Sequence, residues 1–217
     1  MEHFDQYIIK QSPPDLNYGL LKTTSESRYS SLMPWHVDQV SQYILNETQY
    51  MTVQSIIDCN AHIGADSILF RLLFPQTDIL SIELNPQTFN LLKDNMNHLA
   101  SITNQQVKPI QVVNDDCLDY VGIKTDIMYF DPPFGQDYKK YTKMNLYLTG
   151  IDLGLIVNNQ LRVNPCLVIV KLPYNIDMDA LWSKMSYNLP YELYFSSYNI
   201  VTSSGKMSYI LAFVRPM

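Results

Sequence analysis

The stretch TDIMYFDPPF, Thr125 to Phe134, decides how this chain is read. Thr125–Phe130 is a short apolar run of the kind that forms a buried strand, and Asp131-Pro132-Pro133-Phe134 follows it directly. An acidic side chain placed there stands at the carboxyl end of a strand, where open α/β sheets bind ligands. Asp131 and the Pro132 carbonyl can both accept hydrogen bonds from an exocyclic amino group. Phe134 offers a flat face on which a base can stack.

Working outward, strands and helices alternate on both sides of this motif. Upstream, Val53–Cys59 predicts a first strand, Ala65–Phe74 a helix, Asp78–Glu83 a second strand, Pro86–Leu99 a helix and Ile110–Val113 a third strand. Asp126–Phe130 is then the fourth strand. Downstream, Asn145–Asn159 predicts a helix, Cys166–Lys171 a fifth strand and Met178–Met185 another helix. Tyr191–Tyr198 and Met207–Val214 read as β-runs joined through Ser203-Ser204-Gly205 in a hairpin. A further helix opens at Pro34 and runs to about Asn46, with Val37, Val40 and Ile44 at helical spacing. The pattern predicts an α/β, Rossmann-like fold whose seven-stranded, mostly parallel sheet is closed by a C-terminal antiparallel hairpin. Residues 1–33 are polar, carry Ser12-Pro13-Pro14-Asp15 and read as an N-terminal arm, a candidate substrate lid. Residues 34–217 read as one catalytic domain.

Composition narrows the class. The 217 residues are 47% hydrophobic and 17% charged, which fits a globular domain with a full core. A net charge of −6 argues against a broad basic face for duplex nucleic acid and leaves room for a small, locally basic pocket. Three cysteines, Cys59, Cys117 and Cys166, have no metal spacing and an odd count, so no disulfide framework and no metal are expected. No apolar run reaches the ~20 residues that span a bilayer. The N-terminus lacks the apolar core of a signal peptide. The expectation is a soluble intracellular protein, monomeric, with nucleus and cytoplasm not distinguished.

The loop Asp58-Cys59-Asn60-Ala61-His62-Ile63-Gly64-Ala65 leaves the first strand and opens a helix. Such a turn lets backbone N–H groups approach a ligand, although the GxGxxG phosphate fingerprint is absent. Glu83 ends the second strand, where an acidic residue can take ribose hydroxyls. Asp115-Asp116-Cys117 follows the third strand and can meet an adenine edge. Acidic residues at three successive strand ends, followed by Asp-Pro-Pro-Phe at the fourth, make a pattern that helix caps and turns alone do not explain. His62, Cys59 and Cys117 read as packing neighbours of this loop, with no activating base for a thiol nucleophile.

With these residues in view, the chain resembles the class I S-adenosylmethionine-dependent methyltransferases over about residues 34–217. Within that class it is most similar to the trimethylguanosine synthases, the RNA cap guanine-N2 methyltransferases. Asp58–Asp66 matches that family's acidic, glycine-rich loop, DPPFGQDY (Asp131–Tyr138) its Ser/Asp-Pro-Pro-Trp-Gly-Gly-x-Asp-Tyr motif, and Leu172-Pro173-Tyr174-Asn175 its Leu-Pro-Arg-Asn. Tyr29–Pro34 with the helix after it resembles the family's Phe-Ser-Val-Thr-Pro-Glu segment. Phe134 stands for the family's tryptophan, Gln136 and Ala65 for glycines, and Tyr174 for an arginine.

The resemblance implies S-adenosylmethionine as cofactor, bound by Asp58, Cys59, Ala61, Gly64, Glu83, Leu84, Asp116, Cys117 and Asp131. It implies capped RNA or a cap-like nucleotide as partner, with guanine N2 of a 7-methylguanosine cap methylated. Asp131, Pro132, Pro133 and Phe134 would form the catalytic motif, and Phe134, Lys171, Tyr174, Asn175 and Trp35 would meet substrate. Tyr138 and Tyr141 are further candidates for an aromatic wall; Lys139, Lys140, Lys22 and Arg28 are further candidates for phosphate. The Asp-Pro-Pro-Phe motif fits an N6-adenine methyltransferase on DNA or RNA equally well, and ribosomal guanine-N2 methylation is a near relative. A catalytically silent, stimulatory subunit with the same fold is the third alternative.

Overall fold

β4 (Ile127–Phe130) is buried at all four positions and β7 (Leu167–Leu172) at all six. A strand covered on both faces needs a continuous apolar run, and IMYF and LVIVKL supply one, with Lys171 the exception. The computed structural model describes Lys22 and residues 36–103, 107–135, 137–202 and 204–217. Trp35, Pro34, Arg28, Gln136 and, apart from Lys22, the proposed arm 1–33 lie outside them.

The remaining elements are α1 (Val37–Thr48), β1 (Ser55–Asp58), α2 (Ala65–Leu73), β2 (Asp78–Ile82), α3 (Pro86–Ile102), β3 (Gln111–Val113), β5 (Tyr147–Leu148), β6 (Ile151–Asp152), α4 (Leu153–Val163), α5 (Met178–Met185), β8 (Leu193–Val201) and β9 (Met207–Pro216). Seven strands form one sheet in the order β3-β2-β1-β4-β7-β9-β8. The pairs β1–β2, β2–β3 and β4–β7 are parallel, whereas β7–β9 and β8–β9 are antiparallel. The fold is therefore the expected α/β one, closed by its C-terminal hairpin.

The chain divides into two compact units, Met1–Asp116 and Cys117–Met217. In the first, Ala61, Ile68, Leu72, Leu92, Met96 and Leu99 pack as one cluster under α2 and α3. Asn85 caps α3, its side chain accepting from the N–H groups of Gln87 and Thr88, with Pro86 at the first helical position. Arg71 is fully buried and donates to the carbonyls of Phe74 and Pro75, tying down the end of α2. Burial pulls its guanidinium down to about 10.

In the second unit one expectation fails. Asn145–Asn159 is not a single helix: Tyr147–Leu148 and Ile151–Asp152 form a small antiparallel hairpin, and α4 begins only at Leu153. Thr149 and Gly150, both at positive φ, make the two-residue turn that such a hairpin needs. Asp152 then caps α4 by accepting from the Gly154 N–H. Elsewhere the expected strands and helices are present, with ends moved by three residues at most. Among the described residues no helix is long and apolar enough to cross a membrane.

Candidate functional site

In the first unit, polar groups gather after β1, β2 and β3. Asp58 ends β1 fully buried, and Ser67 of α2 donates its hydroxyl to Asp58 Oδ2 while lying 2.8 Å from the Ser81 hydroxyl of β2. This network fixes the strand end beneath the loop. The loop then turns back: the Ala61 N–H donates to the Ile82 carbonyl and the Gly64 N–H to the Ala61 carbonyl. Gly64 has φ 94°, and a Cβ there would stand 2.4 Å from Met96 Cε and 2.8 Å from Leu92 Cδ1. The left-handed backbone favours glycine, and a Cβ would also have to displace the ends of the Met96 and Leu92 side chains.

Glu83 binds this loop from β2. Its Oε2 accepts from the His62 N–H at 2.9 Å and its Oε1 from the Asn85 N–H at 2.8 Å. The carboxylate is thus aimed by main chain on both oxygens, and an ionised carboxylate has about four lone-pair sites, so each oxygen keeps acceptor capacity. Two asparagines not anticipated from the sequence complete the frame. Asn114, just after β3, donates to the carbonyls of Glu83 and Leu84. Asn95 of α3, 1% exposed, donates to the Ile63 carbonyl. Leu84 is 56% exposed, Asp116 half-buried and Cys117 buried. Lys22 forms an exposed ion pair with Asp94 and exchanges main-chain hydrogen bonds with the Asn95 side chain. Lys22 therefore lies against α3.

The second unit carries the other candidates, after β4 and β7. Asp131 follows β4, and Lys171 of β7 donates to its Oδ2 at 2.7 Å; their side chains are only 15% and 5% exposed. The register explains the meeting: Phe130 pairs with Val170, so the next residues of the two parallel strands, Asp131 and Lys171, stand side by side. Lys171 Nζ also lies 4.9 Å from the ring centre of Tyr209. The strand-end cation expected to meet phosphate is thus directed to the motif carboxylate.

Pro132 is buried and Phe134 half-buried. The Phe134 ring meets Tyr138 edge-on at 5.5 Å, and Tyr138 meets Tyr174 edge-on at 6.0 Å. Asn175 is 8% exposed, and its amide donates to the carbonyls of Tyr138 and Tyr141. The Met144 N–H donates to the Asn175 carbonyl in return. The LPYN segment therefore braces the loop that carries the aromatic rings. Lys139 lies over the Tyr138 ring at 5.5 Å, whereas Lys140 pairs with Asp137 and Lys143 with Asp177. Tyr141 is 58% exposed and makes no ring contact among those described.

All three cysteines are buried and none forms a disulfide. Burial pushes the Cys166 thiol up to about 12, against the partial relief of its Gln160 hydrogen bond, so it stays protonated at neutral pH. Among the described residues no three His, Cys, Asp or Glu side chains converge as a metal ion would require.

Solved structures share this architecture at low identity. Precorrin-6y C5,15-methyltransferase from Geobacter metallireducens is 14% identical with a TM-score of 0.55, the match covering 88% of this chain and 95% of that one. PH1948 of Pyrococcus horikoshii, solved as a candidate RNA methyltransferase, is 13% identical with a TM-score of 0.53 and 99% and 97% coverage. P. horikoshii TYW2, solved in complex with MeSAdo, is 13% identical with a TM-score of 0.52 and 92% and 66% coverage. The chain thus has the fold of these methyltransferases. No protein-family model and no curated protein matches it.

Proposed function

We propose that this chain transfers a methyl group from S-adenosylmethionine to the exocyclic amine of a nucleobase, guanine N2 of a 7-methylguanosine RNA cap. The observation that carries the reading is the constellation after β4: the Asp131 carboxylate, Pro132 and the edge-to-face series Phe134, Tyr138 and Tyr174. In this reading residues 34–217 are the catalytic domain.

The residues after β1 and β2 fit the cofactor. Glu83, aimed by two N–H groups and with lone pairs to spare, suits a pair of ribose hydroxyls. Leu84 offers an exposed apolar side chain for an adenine to cover, and the Asp58–Gly64 turn presents main chain for the rest. Asp58, Cys59, Ala61, Gly64, Glu83, Leu84, Asp116 and Cys117 would hold it. When bound, S-adenosylmethionine supplies a methyl group already activated on a sulfonium.

The protein's share is then positioning and electrostatics. Asp131 and the Pro132 carbonyl accept the two amine hydrogens and so orient the nitrogen lone pair. With the cofactor bound, the new N–C bond would form as the methyl–sulfur bond breaks, leaving a neutral thioether, and the nitrogen would release its extra proton to water. Phe134 stacks on the base, and a cationic 7-methylguanine over an aromatic face gains roughly 0.5–2 kcal/mol. Tyr174, where the resembled family has arginine, offers a second ring in place of a charge.

The test is transfer of labelled methyl to a 7-methylguanosine cap dinucleotide, the same cap without N7 methylation, and an adenine-containing oligonucleotide. Label on the N7-methylated cap alone supports the reading. Label on the oligonucleotide moves the chain to the N6-adenine enzymes. Cofactor binding without transfer to any acceptor identifies a silent subunit.

A further inference from the structure

A lysine inside a fully buried strand needs a reason. β7 is buried at every position, and five of its six residues are Leu, Val or Ile. An ammonium there loses its hydration, and a buried ion pair is often no better than apolar side chains of the same volume. Core packing alone would favour another aliphatic residue. Yet Lys171 is present, 5% exposed, with Nζ 2.7 Å from Asp131 Oδ2. Its other support is also built by the sheet. Lys171 pairs with Leu211 of β9, and Tyr209, two residues away on the same face, turns its ring toward the ammonium. Strand register on one side and a diagonal neighbour on the other hold the cation in one place.

We propose that Lys171 is the positioning residue of the Asp-Pro-Pro-Phe site, holding Asp131 in one orientation, with Oδ2 toward β7, from which it receives the acceptor amine. This rests on the methyltransferase reading above. Asp131 lies one residue beyond β4, and Lys171 reaches its carboxylate from the neighbouring, fully buried strand. A charge-assisted bond from a rigid strand restrains that carboxylate. It also matches the carboxylate with a cation, so that Asp131 acts as a fixed hydrogen-bond acceptor.

The experiment combines stability and kinetics in the full-length protein. Lys171→Met, Asp131→Asn and the double variant form a cycle, with Lys171→Arg as the conservative replacement. Lys171→Met is expected to lower the melting temperature when Asp131 is present and to do so far less beside Asp131→Asn. Lys171→Met is expected to lower kcat about 100-fold by misplacing the acceptor, with S-adenosylhomocysteine affinity within about twofold of wild type. Lys171→Arg is expected to recover most of that loss. Additive melting temperatures overturn the proposal, because the pair is then no unit. A raised KM for capped substrate at unchanged kcat also overturns it, and makes Lys171 a substrate contact. A wild-type protein that transfers to no acceptor sinks the underlying reading instead. The stability cycle needs no substrate and still decides whether Lys171 holds Asp131.

Discussion

Around Gly64 and Glu83 the loop above the Asp58–Ser67–Ser81 network is held mainly by side chains bonded to main chain, whereas around Asp131 and Phe134 a cation, a carboxylate and three rings meet side chain to side chain, with Asn175 bracing the main chain. In the first region Glu83, Asn95 and Asn114 each spend their side chains on backbone groups, and Gly64 contributes only its missing Cβ. In the second, Lys171 meets Asp131, Tyr209 backs Lys171, and Phe134, Tyr138 and Tyr174 meet ring to ring. A frame made of main chain tolerates many sequences, which suits a cofactor common to a whole fold. A frame made of side chains can be re-specified residue by residue, which suits an acceptor that differs between enzymes.

Substitutions can break this contrast or sharpen it. The largest effect is expected from Asp131→Asn. Losing a fixed charged acceptor should lower kcat about 10²–10³-fold, roughly 3–4 kcal/mol, with a far smaller loss of cofactor affinity on calorimetric titration. A parallel loss of cofactor affinity would show that the two regions are not separate in function. Next is Gly64→Ala. Positive φ and contact with Met96 and Leu92 should together cost about 3 kcal/mol in urea unfolding. A stability within experimental error of wild type would mean that α3 yields easily and the main-chain frame is soft.

Glu83→Gln should follow. It retains one acceptor and loses the charge, so cofactor binding should weaken roughly 30-fold, about 2 kcal/mol, while acceptor KM stays unchanged. The smallest effect belongs to stacking. Phe134→Ala should raise acceptor KM about tenfold, roughly 1.4 kcal/mol, and Phe134→Trp should keep or improve wild-type KM. A Trp variant weaker than the Ala variant would place the base elsewhere than on this ring.

In both regions the sequence disclosed the local features and hid the distant contacts. Asp58 and Glu83 at strand ends, Gly64 at the start of α2 and Asp116 in the turn after β3 are marked locally by apolar runs and a glycine. The Asp131–Phe134 motif is equally local. What escaped were meetings set by register and tertiary packing. Lys171 is 40 residues from Asp131 and reads as one more strand-end lysine until β4 and β7 are paired. Asn95 and Asn114 look like ordinary polar residues of a helix and a loop, because their partners are carbonyls that carry no sequence signature. The hairpin before α4 was hidden by the helical spacing of its apolar residues, although Thr149-Gly150 followed by the cap residue Asp152 is a local signal of a turn and a new helix start.

The most direct test of the central claim is mass spectrometry of the nucleosides released after wild-type protein has acted on N7-methylated capped RNA with S-adenosylmethionine. Guanosine methylated at both N2 and N7 is expected, from wild type and not from Asp131→Asn. N6-methyladenosine, or a methyl group on any other position of the cap, would contradict that claim.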